Sequence, residues 1–142
     1  MNKEIGKSVE YSYHIAVMFY QIDGNQHVNN KHYNSYCDEA MMNMFKKTGH
    51  NMHEMATKGI GPVTYKAEYE YIGELLYGDL AKVTSVASFP KNTRAIFEHV
   101  IENAETGKVV CKACTYGIWI NLESKKLHRF PDSILEKMLS AD

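Results

Sequence analysis

At 142 residues, with a formal charge of −1 and acidic and basic residues mixed along its length, the chain fits one domain, residues 1–142, long enough to bury a core without disulfides or metal. The charge balance offers no basic stripe and argues against a nucleic-acid partner. No apolar run approaches the length of a membrane span, the polar start Met1-Asn2-Lys3-Glu4-Ile5-Gly6-Lys7 lacks the apolar centre of a signal peptide, and the three cysteines are an odd number; together these predict a soluble cytoplasmic protein with reduced thiols.

Tyr11 to Tyr20 reads as a first strand with Tyr13, Ile15, Val17 and Phe19 on one face. After the polar run Asp23 to Asn30, a helix is predicted from Asn30 to about Thr48. Its apolar positions Tyr33, Tyr36, Cys37, Ala40, Met41, Met44 and Phe45 recur every three or four residues, as a single buried stripe does, and Gly49 is its stop. His50 to Gly61 shows no clear period and reads as a loop with room for a short helical turn. The period then changes to two. Val63, Tyr65, Ala67, Tyr69 and Tyr71 alternate with Thr64, Lys66, Glu68 and Glu70, which predicts a strand with one buried face. Gly78-Asp79 makes a turn, and a strand follows from Leu80 to Phe89. Pro90-Lys91-Asn92-Thr93 closes a hairpin with Arg94 to Glu102. The loop Asn103 to Gly107 leads into Lys108 to Leu122, apolar on both faces and suited to the middle of a sheet. Pro131-Asp132-Ser133 starts a short C-terminal helix bearing Ile134, Leu135, Met138 and Leu139. Strand, long helix and antiparallel meander define an α+β class in which the sheet can wrap the helix.

The run Asp23-Gly24-Asn25-Gln26-His27-Val28-Asn29-Asn30 places a carboxylate, an imidazole and several amides where that helix begins. A helix start leaves backbone N–H groups without intrahelical partners and carries partial positive charge, so a carbonyl oxygen gaining negative charge is stabilised there. The same residues also suit a plain polar turn in which Asp23, Asn25 or Asn29 caps the helix.

Asp23-x-Asn25-x-His27-Val28-Asn29-Asn30 followed by Tyr33 resembles the signature of the hot-dog-fold thioesterases, in the branch containing 4-hydroxybenzoyl-CoA thioesterase and the plant acyl-ACP thioesterases. The likeness runs from about Tyr11 to the C-terminal helix and includes Tyr65 to Asp79. One departure is Gln21, where many relatives carry an acidic residue. The resemblance implies a long central helix wrapped by a curved antiparallel sheet, hydrolysis of acyl-CoA or acyl-ACP thioesters without a cofactor, and a homodimer or homotetramer. It implies Asp23 as nucleophile or general base, Asn25 and His27 as catalytic or positioning groups, and the helix start at Asn30 as oxyanion hole. Tyr33 and Glu39 join the substrate-binding set on the same ground. Read by themselves, Tyr33 and Tyr36 belong to the apolar stripe, and Glu39 is a solvated or ion-paired helix residue.

No metal is expected. His50-x-x-His53 and Cys111-x-x-Cys114 have ligand-like spacing, but residues three apart on a strand point to opposite sides, so the cysteines cannot converge. A hot-dog dehydratase or hydratase, which carries a different histidine and acid motif, and a catalytically silent acyl-binding protein are the alternatives. Tyr36, Ala40, Met41, Met44, Met52 and Met55 are flexible or aromatic side chains suited to an irregular apolar tunnel. They predict a preference for medium-to-long aliphatic acyl groups, the alternative being that these methionines fill the core.

Overall fold

The computed structural model describes residues 6–139 except 9 and 51; of the polar N-terminal segment, residues 1–5 lie outside it. In chain order the elements are β1 (Gly6–Lys7), β2 (Tyr11–Ala16), a 3-10 turn (Phe19–Gln21), α1 (Lys31–Lys47), α2 (Met52–Thr57), β3 (Ile60–Tyr71), β4 (Leu80–Lys91), β5 (Arg94–Asn103), β6 (Val109–Asn121) and α3 (Asp132–Leu139). Six antiparallel strands form one sheet in the order β1-β4-β5-β6-β3, with β2 also paired to β4. The long strand β6 lies inside the sheet, between β5 and β3, as its two apolar faces require.

Helix α1 buries the seven apolar positions that its period marks, Tyr33, Tyr36, Cys37, Ala40, Met41, Met44 and Phe45. Gly49, at φ +84°, takes the left-handed conformation that ends a helix cheaply. The helix lies over the inner sheet face, where alternate residues of the strands are buried: Ala81, Val83, Ser85, Ala87 and Phe89 on β4, and Ala95, Phe97, His99 and Ile101 on β5.

Two expectations fail, each for a local reason. The first strand ends at Ala16, not Tyr20, because the chain turns through the 3-10 segment. Phe19, expected on one strand face with Tyr13, Ile15 and Val17, is 75% exposed and stacks edge-on against Tyr77. On β3 the simple alternation breaks at Tyr65, a bulge where Thr64 pairs with Gly117 and Lys66 with Tyr116. An extra residue reverses the phase of everything beyond it. Val63 and Tyr65 therefore lie on the face opposite to Ala67, Tyr69 and Tyr71, and most of β3 is exposed.

The core divides in two. One cluster contains Val28, Tyr33, Tyr36, Cys37, Leu75, Val83 and Ile101; the other contains Met41, Met44, Phe45, Phe97, Trp119 and Phe130. Between them the inner face carries Ser85, His99 and Thr115, all buried. Ser85 Oγ lies 2.7 Å from His99 Nδ1, and burial pushes the His99 ring down to about 4. Above pH 6.5 that ring is neutral folded and unfolded. As the pH falls from 6.5 through 4, the unfolded chain takes up a proton that the folded one refuses, so stability is lost across that window. Chemical denaturation of the protein and its His99→Leu variant at pH 7 and pH 4 should show an extra loss of about 3 kcal/mol in the unsubstituted protein. Parallel pH profiles would contradict it.

Candidate active site

The polar run folds into a tight loop clamped at both ends. Ile22 and Val28 form an isolated antiparallel bridge. Asp23 N–H donates to His27 O at 2.9 Å, and Gln26 N–H donates to Asp23 O at 3.0 Å. Gln26 holds φ at +68°, a left-handed conformation in which a side chain costs free energy and which the surrounding bonds must enforce. Val28 anchors the loop in the core, fully buried with its N–H bonded to Leu75 O at 2.8 Å.

Within this loop Asp23 and His27 come together. Asp23 Oδ1 accepts the Asn25 N–H at 2.9 Å, and Oδ2 faces His27 Nδ1 at 3.7 Å, beyond hydrogen-bond range. His27 Nδ1 is 3.1 Å from Val28 O. With the proton on Nδ1 bonded to that carbonyl, Nε2 is left to water or substrate. Asn25 is exposed, and its own N–H closes the turn on Asp23.

The start of α1 supplies the donors. Asn29 accepts the Lys31 N–H on its side-chain oxygen at 3.2 Å and the His32 N–H on its carbonyl at 2.9 Å, and Asn30 O accepts the Tyr33 N–H at 3.2 Å. Capping by Asn29 is therefore real. It leaves the Asn30 N–H as a first-turn donor without a protein acceptor among the described residues.

Gln21 locks this assembly to the helix. Buried, it accepts the Tyr36 O–H at 2.6 Å and the Met18 N–H at 2.9 Å on one oxygen. Both donors are neutral, so an uncharged amide serves where an ionised carboxylate would be desolvated. Tyr33 packs in the core against Tyr36 and Tyr71, its phenol pushed up to about 12 by burial. It lines neither of the cavities below. Glu39 is exposed on α1 and also lines neither.

Two cavities open between α1 and the β3 side of the sheet. One of about 360 Å³ is walled by Met41, Met42, Phe45, Met52, Phe97, Ile118 and Phe130. The other, about 380 Å³, is walled by Asn34, Ala67 and Thr115 with the bulge residues Tyr65 and Lys66, and the two share Asp38 and Thr64. Tyr69 O–H donates to Asn34 Oδ1, on the wall of the second cavity. Of the side chains expected to form a tunnel, Met41 and Met52 line it, whereas Tyr36, Ala40, Met44 and Met55 are core. Asp38, absent from the candidates drawn from the sequence, sits where the cavities meet; burial, and then the Glu39 charge, push its carboxyl above the usual range. Asn34 and Asp38 fall on one helical line with Met41 and Phe45 of the buried stripe, and that spacing could have found it.

Among the described residues no group of three or more His, Cys, Asp or Glu is placed to hold a metal, and no helix is long and apolar enough to cross a membrane. Cys111 is on the buried face of β6, three residues from the partly exposed Cys114.

A curved antiparallel sheet about one long helix, with an Asp-His loop at that helix's start, is the hot-dog fold. The family model of the thioesterase-like superfamily matches residues 17–138, and the chain belongs to that superfamily. No curated protein sequence matches the chain. Among solved structures it is similar to a 1,4-dihydroxy-2-naphthoyl-CoA thioesterase from Synechocystis, with TM-score 0.89 and 17% identity over 94% of this chain and 98% of that one. It is also similar to a DHNA-CoA thioesterase from Staphylococcus aureus, with TM-score 0.83 and 20% identity over 90% of this chain and 89% of that one. A third likeness is to a hypothetical protein from Staphylococcus aureus in complex with CoA, with TM-score 0.83 and 18% identity over 92% and 82%.

The Gln21 and Tyr36 pair should be energetically coupled. Gln21→Ala strands a buried phenol and should cost about 1–3 kcal/mol, with Tyr36→Phe costing less because Gln21 keeps the Met18 donor. A double-mutant cycle by urea denaturation should give a coupling above about 0.5 kcal/mol; strict additivity would show that the contact contributes nothing.

Proposed function

We propose that the protein hydrolyses acyl thioesters of coenzyme A. The observation that carries this reading is the pairing, at one loop, of an Asp23 oxygen without a full hydrogen bond and the unaccepted Asn30 N–H, in a chain of the thioesterase-like superfamily. Asp23 either attacks the thioester carbonyl or takes the proton of the attacking water. The Asn30 N–H and the positive end of α1 receive the developing oxyanion. His27, through Nε2, and the Asn25 amide position water or the acyl carbonyl. The cavities between α1 and β3 take the acyl group, with its far part in the apolar chamber. Two structural neighbours are CoA thioesterases and a third is in complex with CoA, which supports coenzyme A as the carrier; acyl carrier protein is the other carrier to test.

Asp23→Asn keeps the shape of the side chain and removes its charge. Thiol release from a panel of acyl-CoAs should fall by about 100-fold or more at unchanged melting temperature, and His27→Ala should lower it less. Turnover within a few-fold of the unsubstituted protein would remove Asp23 from the chemistry, and saturable binding without turnover by the unsubstituted protein would overturn the hydrolase reading.

We also propose a homodimer at least. Strand β3 is a sheet edge twelve residues long with Val63, Tyr65, Tyr71 and the following Ile72 exposed. An open edge of that length is covered by pairing with a second copy, which would build the acyl site between subunits. Sedimentation at micromolar concentration should give a dimer or a multiple of it; an active monomer would count against the pairing.

A further inference from the structure

Among the described residues the inner sheet face keeps three polar atoms that its packing does not use, one of them the indole Nε1 of Trp119. Thr115 Oγ1 and His99 Nε2 are buried, in side chains 5% and 1% exposed, and neither has a hydrogen-bond partner among the described residues. A buried hydroxyl without a partner costs stability that valine, of nearly the same shape, would not. Such local losses concentrate at functional sites. Thr115 is also placed to meet a ligand. It pairs with Phe97 on β5 and Ala67 on β3, and it lines the cavity that shares Asp38 and Thr64 with the apolar chamber. His99 follows one step along β5, stacked parallel on Phe97, whose ring is a wall of that chamber.

We propose that Thr115 determines specificity by hydrogen-bonding an oxygen carried partway along the acyl group, so that oxygenated acyl groups are preferred to hydrocarbon ones of the same size. The inference rests on the thioesterase reading above. A threonine hydroxyl both donates and accepts, so it serves a hydroxyl or a keto oxygen. The part of the acyl group beyond that oxygen enters the apolar chamber, where Met41, Met42 and Phe97 surround it. The His99 ring, on the same inner face, is held at Nδ1 by Ser85. A site built to bond an oxygen discriminates strongly against the analogue that lacks it, because its own buried group is then left unpaired.

The test compares decanoyl-CoA with 3-hydroxydecanoyl-CoA and benzoyl-CoA with 4-hydroxybenzoyl-CoA. In at least one pair the oxygenated member should have a kcat/KM higher by about tenfold or more. Thr115→Val should bring that ratio within about threefold by lowering the oxygenated member alone, and Thr115→Ser should restore it. The melting temperature of Thr115→Val should equal or exceed that of the unsubstituted protein, which separates lost recognition from lost structure. Equal kcat/KM within both pairs, or a Thr115→Val loss shared equally by both members, overturns the proposal and leaves the hydrolase reading standing. If no thioester is hydrolysed, binding of the four free acids decides. It is followed by fluorescence of Trp119, the one tryptophan, which touches the chamber wall at Phe130 with ring centres 5.0 Å apart. Tighter binding of an oxygenated acid that Thr115→Val abolishes would uphold Thr115 while the hydrolase reading fails; indifferent binding, or none, would sink both.

Discussion

The contact on which everything else is built is the buried stripe of α1 against the inner face of the sheet. It removes large apolar side chains, Tyr33, Tyr36, Met44 and Phe45 among them, from water at roughly 1.5–3 kcal/mol for each aliphatic or Phe side chain. It also sets the direction of the helix axis. Once that axis is fixed, the N-terminal turn can only point toward the loop that precedes it, and the Asn30 N–H is aimed by the core rather than by the loop.

The loop is held from below in the same way. Val28 is buried and bonded to Leu75, and Gln21 reaches from the 3-10 turn to Tyr36 on the helix. These ties offset the unfavourable backbone of Gln26. They leave Asp23 and His27 at the surface of an assembly whose base is rigid. A carboxylate held in place without saturating hydrogen bonds is suited to attack or to proton transfer, because little reorganisation precedes the reaction.

What could be read from the residues alone depended on whether a local period carried the information. The stripe of α1 was legible because a helix repeats its face every three or four residues, and the polar loop because its residue types stand together in sequence. Strand β3 was misread where Tyr65 enters as an extra residue, since a bulge is set by pairing with Gly117 and Tyr116, far along the chain. Phe19 was misread because nothing in the apolar run says that the strand stops at Ala16. Asp38 escaped notice beside the stronger apolar stripe, although it shares a helical line with Asn34 and Phe45. The polar layer of Ser85, His99 and Thr115 is assembled from three strands and has no sequence-local trace at all. Asp23, Asn25, His27 and Asn30 come together in one loop before α1 because they are neighbours in the sequence.

The division of the core under a single helix lets its two halves change independently. Val28, Tyr36 and Leu75, which support the loop, belong to one apolar cluster; Met41, Phe45, Phe97 and Phe130, which wall the chamber, belong to the other. Substitutions that share no partners add rather than compound. Chamber residues can therefore be exchanged, enlarging or reshaping that space, without disturbing the side chains that support the loop. A lineage carrying this architecture is free to reshape the chamber one substitution at a time, with the loop left in place.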